Sequence, residues 1–539
     1  MNVEIIIQGL DFHQDVEPLV KEFFPGLVND RPVRVVLETK ETEFTVSVFA
    51  SEASSTSETA VVTDGVTAEG SSTPGTAAVT DGAPAEGSSA AETAIVTDDA
   101  TADCFLTVES SAVTLLDRVT FTSENEKIRH RDYRNALLKG LYRALCSYTG
   151  RQMPWGVLTG VRPTKLIFER IERGEAGHLA FMEEKYCVSR EKAALATRIA
   201  AVEYQLLEGI DYKHGYSLYV GIPFCPSICN YCSFGSHPID RFSDCVEPYI
   251  EALIKEIAYA GTCFPERKLE TVYFGGGTPT SISAEQLRRL LRCVKDNFDM
   301  SYVREFTVEA GRPDSITRDK LVMLLEEGVT RISINPQSMV QRTLDTIGRR
   351  HTVEQVRDAY SLARELGCDN INMDLIAGLS GESIEDFRTT LAEIERLEPD
   401  SITVHTLAHK RAARLTTDSE LYAGLEATDV ALMVDEAAAF MKQHGYEPYY
   451  LYRQKNMTDN LENVGYARPG KEGLYNILIM EEKQMILACG SGASSKFVRD
   501  NGDKRFERVE NVKNVHEYIA RIDEMIERKR RYIAENDIR

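Results

Sequence analysis

No apolar run in these 539 residues approaches the roughly twenty needed to cross a bilayer, so no membrane span is expected. Positive charge is scarce: 62 Lys and Arg face 84 Asp and Glu, for a net charge of −22. No basic stripe interrupts that balance, which argues against a nucleic-acid partner held through its phosphates. The opening Met1-Asn-Val-Glu-Ile-Ile-Ile has no basic stretch ahead of its apolar residues and predicts a first strand, not an export signal. A disulfide framework is also missing. The 11 cysteines are odd in number, and Cys104, Cys146, Cys187, Cys245, Cys263, Cys293, Cys368 and Cys489 lie scattered, as small buried side chains do in a reducing cytoplasm.

With 43% hydrophobic and 27% charged residues the chain has material for two to four domains. The pattern divides it into an N-terminal α+β region (1–127), a helical region (128–210), a strand–helix region (211–410) and a smaller C-terminal domain (411–539). Val33-Arg-Val-Val-Leu37 and Phe44-Thr-Val-Ser-Val-Phe49 alternate as strands, with a helix near Val16–Phe24. Residues 51–103 are different material: Ser, Thr, Ala and Gly with ten acids, no Lys, Arg or aromatic residue, and a 17-residue repeat at Val62-Thr-Asp-Gly65, Val79-Thr-Asp-Gly82 and Val96-Thr-Asp-Asp99. Too few large apolar residues are present to build a solenoid core, so the stretch reads as a disordered acidic insertion. Strands resume at Cys104–Val108 and Val119–Thr122, which places the insertion in a lengthened hairpin loop. Helical spacing then runs over 128–209, broken by the shaped loop Met153–Pro163, where Arg162 and Lys165 could meet anionic groups.

From 217 to about 410 strand-like runs (Leu218–Pro223, Thr271–Phe274, Glu305–Glu309, Arg331–Asn335, Asn370–Ile376, Ser401–Val404) alternate with helical ones (Val246–Ala260, Ala284–Phe298, Arg318–Glu327, Val353–Leu366, Ile384–Leu397). This is the pattern of parallel β/α units, an α/β class chain folding as a barrel or partial barrel, with its chemistry at the C-terminal strand ends. Polar motifs fall at those ends. Gly275-Gly-Gly-Thr-Pro-Thr280 lets backbone approach a ligand, although it lacks the spacing of a dinucleotide fingerprint. Glu309 ends the third strand, where a carboxylate can receive a diol or an ammonium group; Gln337 ends the fourth, shortly before Arg349, a partner for a carboxylate; Asp374 ends the fifth. Singly, each suits a turn or a surface ion pair; together, at successive strand ends, they read as a ligand set.

The densest chemistry lies in Gly221-Ile-Pro-Phe-Cys-Pro-Ser-Ile-Cys-Asn-Tyr-Cys-Ser-Phe234. Cys225, Cys229 and Cys232 supply three thiolates from one loop, where a closed iron–sulfur or zinc site takes four. A cubane so held keeps one iron open for a small molecule. The bland alternatives are three core cysteines, or a zinc site completed by His237.

Tyr219-Val-Gly-Ile-Pro-Phe-Cys225, the glycine motif, Arg331-Ile-Ser-Ile-Asn-Pro-Gln337, Gly348-Arg-Arg-His-Thr352 and Met373-Asp-Leu-Ile-Ala-Gly378 together resemble the oxygen-independent coproporphyrinogen III oxidase (coproporphyrinogen dehydrogenase) family of the radical S-adenosylmethionine (SAM) superfamily. The long N-terminal region and Leu158-Thr-Gly-Val-Arg-Pro163 resemble its HemZ-type branch. The resemblance implies a partial (β/α)6 TIM-like barrel, a [4Fe–4S] cluster on Cys225, Cys229 and Cys232, and a SAM site formed by Tyr219, Tyr231, Gly276, Gly277, Thr278, Glu309, Gln337, Arg349, Asp374 and Ala408. It implies an oxidoreductase of heme and porphyrin biosynthesis, a cytoplasmic monomer fed by an electron donor such as flavodoxin or ferredoxin, which oxidatively decarboxylates two propionates of coproporphyrinogen III to give protoporphyrinogen IX. The chain departs from the well-studied oxidases at Phe234, where they carry a fourth cysteine, at Gly221, where they carry His, and in Glu309-Ala-Gly-Arg-Pro313, one residue longer than their Glu-x-x-Pro turn. A heme chaperone of the same family is the alternative, for which His405 and His409 are the candidate iron ligands. Four tyrosines and Arg453 in Tyr446–Arg453 offer a surface for a macrocycle and its carboxylates, or else an aromatic core strand.

Overall fold

In the first 157 residues, Val35, Leu37, Val46 and Val48 alternate with less buried neighbours and are fully buried, as a sheet packed on one face requires. The structure, a computed structural model, describes residues 3–8, 12–23, 33–39, 43–50, 105–109, 112–118, 125–160, 162–212, 214–233, 235–408, 429–453, 461–498 and 506–538. The acidic insertion 51–103, Phe234 and His409 lie outside them. The chain forms two compact units, Met1–Val157 and Leu158–Arg539, where the sequence pattern suggested four regions.

The first unit runs β1 (Val3–Gln8), α1 (His13–Phe23), β2 (Val33–Thr39), β3 (Glu43–Ala50), β4 (Phe105–Glu109), β5 (Ala112–Arg118) and α2 (Glu126–Thr149). Its sheet order is β1-β2-β3-β5-β4. Asn125 caps α2 by accepting from the amide of Lys127 at 3.0 Å, and Gly150 ends it in the left-handed region at φ 68°. The strand after β4 is Ala112–Arg118, and the strand expected at 119–122 lies outside the described residues. One expectation is corrected here: β3 and β4 are not the two arms of a hairpin, because each pairs antiparallel with β5, which lies between them.

The second unit opens with α3 (Pro163–Glu172), α4 (His178–Tyr186) and α5 (Arg190–Leu207). It continues through β6 (Gly215–Ile222), the two-residue pair β7 (Phe224–Cys225) and β8 (His237–Pro238), α6 (Ser243–Ala260), β9 (Lys268–Gly276), α7 (Ala284–Asn297), β10 (Glu305–Gly311), α8 (Arg318–Glu326) and β11 (Arg331–Ile334). There follow α9 (Gln341–Thr346), α10 (Val353–Glu365), β12 (Ile371–Ala377), α11 (Ile384–Leu397) and β13 (Ser401–Thr406). Strands β6, β9, β10, β11, β12 and β13 lie side by side in chain order, all parallel, as the partial barrel expected from the pattern. Capping boxes at Ser283/Gln286, Thr352/Gln355 and Ser383/Asp386 start α7, α10 and α11.

The C-terminal stretch supplies α12 (Val430–Gln443), β14 (Glu447–Tyr452), β15 (Asn463–Ala467), α13 (Leu474–Glu481), β16 (Met485–Cys489), β17 (Ser494–Val498), β18 (Phe506–Glu510), α14 (Val515–Ala520) and α15 (Ile522–Glu535). Its strands do not form a sheet of their own. β15 and β14 extend the β13 edge, and β16, parallel to β6, extends the other edge with β17 and β18, giving one 11-stranded sheet. Buried backbone groups need partners, and the open barrel edges provide them. Among the described residues no helix is long and apolar enough to cross a membrane.

Candidate functional site

The cysteine loop is fixed from three directions before any ligand is considered. The amides of Gly277 and Thr278 donate to the carbonyls of Ile222 and Phe224, each at 2.8 Å. The Asn230 amide and side chain donate to the carbonyls of Ile347 and Thr346, each at 2.9 Å. Arg312, only 3% exposed, donates to the Ser227 hydroxyl at 3.0 Å, lies 3.9 Å from Cys229 Sγ, and is ion-paired with Asp314 at 2.7 Å. Thr278 Oγ1 donates to Cys225 Sγ at 3.4 Å. Burial pushes the Cys225 thiol up, and the Thr278 contact opposes it.

The glycine motif packs directly on this loop. Gly276 adopts φ 110°, and a Cβ on Gly277 would stand 2.6 Å from the Phe224 carbonyl and 2.9 Å from Cys225 Sγ. Glycine is therefore required by both backbone and space. Cys225, Cys229 and Cys232 line a cavity of about 370 Å³, joined by Tyr231, Gly276, Gly277, Thr278, Glu309, Gln337, Arg349, Asp374 and Ala408. The strand-end argument thus brings its residues to one space. Tyr219 is placed otherwise: it stacks on Tyr273 at 6.2 Å, and it is Tyr273 that reaches the cavity.

Electrostatics separate the two carboxylates. Burial raises the Glu309 carboxyl to about 7; a hydrogen bond from the Tyr273 hydroxyl opposes the rise and the Asp374 charge adds to it. Burial acts on Asp374 as well, but His405, Asn372 and Thr403 outweigh it and hold that group below the usual range. Asn372 Nδ2 donates to Asp374 at 2.7 Å, and His405 Nε2 lies 3.8 Å from its other oxygen. Gln337 holds a left-handed φ of 68°, unusual for a residue with a side chain, between its amide bond to the Asp374 carbonyl and its carbonyl bond from Ile376. Arg349 contacts the Tyr231 hydroxyl at 3.3 Å and the Asn335 carbonyl.

Several buried polar atoms facing this space have no protein partner: Ser333 Oγ, Asn335 Oδ1, Gln337 Oε1 and Arg349 Nε. Buried groups of this kind call for a ligand or water. Among the described residues no three His, Cys, Asp or Glu side chains converge on a point as for a single metal ion. A cubane binds each thiolate through a different iron, so its ligands need no such point. His237 pairs with Phe224 across β7 and β8.

Arg312 and Tyr273 are not singled out by the sequence pattern, while His405 and Tyr452, expected at a heme or macrocycle surface, line this cavity. Arg312 directly precedes Pro313 just after β10, where the sequence signals only a turn. The Tyr446–Arg453 stretch divides. Tyr450 and Tyr452 line the cavity, while Tyr446 and Tyr449 are core residues. Arg453, the expected carboxylate partner, is 2% exposed and donates to the Leu158 carbonyl. Arg162 and Lys165 both meet Glu482.

Residues 219–394 match the Radical SAM superfamily. The chain is 43% identical to the "Oxygen-independent coproporphyrinogen-III oxidase-like protein HemZ" of Bacillus subtilis (strain 168), over 76% of this chain and 83% of the relative. It is 31% identical to the heme chaperone HemW of the same organism, over 56% of this chain and 76% of the relative. Among solved structures, coproporphyrinogen III oxidase (HemN) from Escherichia coli is similar at TM-score 0.48 and 24% identity, covering 60% of this chain and 72% of that one. A cysteine loop clamped against a glycine motif, within a chain 43% identical to HemZ over 76% of its length, is the signature of a lineage: the protein belongs to the HemZ-type family of oxygen-independent coproporphyrinogen III oxidase-like proteins in the radical SAM superfamily, whose members imply SAM and an iron–sulfur cluster.

Proposed function

We propose that the protein oxidatively decarboxylates two propionates of coproporphyrinogen III, using a [4Fe–4S] cluster on Cys225, Cys229 and Cys232 and SAM bound at the strand ends. The observation that carries this reading is the convergence of the cysteine loop, the Gly277 cradle and unpartnered polar atoms of Gln337, Asn335 and Arg349 on one cavity. Cys225, Cys229 and Cys232 would hold the cluster, which when bound would supply the electron for SAM cleavage. The residues do the rest by placement. Gly276 and Gly277 allow backbone to approach the ligand, Glu309 and Asp374 accept from its ammonium or diol, and Arg349 meets its carboxylate. Tyr450 and Tyr452 give the macrocycle an aromatic wall. The described cysteines are all free thiols, which suits a cytoplasmic protein fed by a flavodoxin- or ferredoxin-type donor.

The HemW relatives favour a second reading, a heme chaperone. His405, its candidate iron ligand, has Nδ1 at 3.2 Å from the Tyr452 hydroxyl, while Nε2 faces Asp374 at 3.8 Å. Anaerobic incubation with coproporphyrinogen III, SAM and a reductant should yield the vinyl product with one SAM consumed per propionate, and Cys229→Ala should abolish both cluster and turnover. SAM cleavage without decarboxylation, together with stoichiometric heme binding, would establish the chaperone instead.

A further inference from the structure

Glu309 sits among tyrosines. The Tyr273 hydroxyl on β9 donates to its Oε1, and the Tyr273 ring lies 4.4 Å from that of Tyr475 with the planes 20° apart. Tyr219 completes the stack, 6.4 Å from Tyr475. Tyr475 belongs to α13, beyond the residues 219–394 that match the superfamily. This helix is tied to the very strand that carries Glu309. The amides of Leu474 and Tyr475 donate to Glu305, at the start of β10, at 2.6 and 3.3 Å, and Thr307 Oγ1 donates to Glu305 at 3.0 Å. Gly275 leaves the space: a Cβ there would stand 2.9 Å from the Tyr273 ring and 3.3 Å from Glu309 Oε1.

We propose that Tyr273, backed by Tyr475, is a positioning residue that fixes the orientation and charge of Glu309, so that helix α13 outside the superfamily core sets how tightly SAM is held. The proposal rests on the reading of Glu309 as a SAM contact. The titratable groups facing Glu309 are Tyr219 from β6, Tyr273 from β9, Asp374 from β12 and Tyr475 from α13. Burial and the Asp374 charge favour the neutral acid, whereas the Tyr273 hydroxyl favours the carboxylate. Only the carboxylate can pair with an ammonium group and accept both hydroxyls of a ribose. SAM binding therefore strengthens as pH rises through about 7. Removing the Tyr273 hydroxyl moves that rise to higher pH.

The test is equilibrium dialysis of SAM against the anaerobically reconstituted full chain across roughly pH 6 to 9, for the wild type, Tyr273→Phe, Tyr475→Leu, Tyr475→Phe and Glu309→Gln. Tyr273→Phe should bind about tenfold more weakly at neutral pH and recover towards the wild type at the alkaline end. Tyr475→Leu should shift the profile the same way, Tyr475→Phe should not, and Glu309→Gln should bind weakly with a flat profile. A Tyr273→Phe profile parallel to that of the wild type, whatever its absolute affinity, would overturn the proposal. A wild-type protein that binds no SAM overturns the underlying reading instead.

Discussion

Gly277 is a position where one added carbon has nowhere to go. The atoms it would meet are the Phe224 carbonyl and the sulfur of a cluster ligand, and the carbonyl cannot swing aside as a side-chain tip would. We expect Gly277→Ala to fold, with an unchanged circular dichroism spectrum, yet to lose most of its iron after anaerobic reconstitution, because the cysteine loop must shift from the glycine turn. Iron and sulfide contents equal to the wild type, about four each per chain, would show that the loop accommodates the change. The three cysteines and the glycine motif were legible in the sequence because both are local patterns. Arg312 and Tyr273 were not, because an arginine beside a proline and a tyrosine in a strand are ordinary locally. Their roles come from Cys229 and Glu309, each more than thirty positions away.

Among the elements, all six barrel strands were legible in place and order, because short β-branched and apolar-rich stretches alternate with helical ones, although β6 and β9 begin three residues earlier than their apolar runs suggest. What could not be read is that β15 joins β13 and β16 joins β6, because pairing between strands far apart in the chain leaves no local trace. The elements that close the β6 edge are held by a buried polar knot. Lys529 on α15, fully buried, donates to Glu256 on α6 and to Asn511, each at 2.7 Å; Tyr518 on α14 and the Gly490 amide bond the other Glu256 oxygen at 2.6 and 2.7 Å. Two steps away, Tyr249 donates to the Gly221 carbonyl at 2.7 Å, just before the cysteine loop. Lys529→Met leaves the Glu256 charge buried without its cation and should cost about 3–5 kcal/mol in urea unfolding. Adding Glu256→Gln should restore part of the loss. A single substitution that leaves the midpoint unmoved would mean that the pair adds nothing to stability.

For the whole molecule, the first-unit topology sets a length requirement. Since β3 and β4 are parallel with β5 between them, the chain leaving Ala50 must return along the sheet and cross one strand to reach Phe105. That is about 20 Å, or six to ten extended residues, given strands about 4.8 Å apart. Replacing residues 51–103 by a twelve-residue Gly/Ser linker should leave melting temperature and SAM cleavage nearly unchanged, at roughly the small entropic cost of loop length. Joining residue 50 directly to 104 should destabilise the first unit by differential scanning calorimetry. A large loss with the linker in place would show that the insertion contributes contacts of its own.

The partners of β6 also carry a timetable. On one side it pairs with β9, the next long strand in the chain; on the other it pairs with β16, residues Met485–Cys489. A ribosome making this protein releases the cysteine loop well before Gly490, which packs on Gly221, and before the helices α14 and α15 that hold Glu256. Until then the loop is attached to a strand with one bare edge. A cluster placed in the loop before β16 has paired would sit on an unfinished sheet edge.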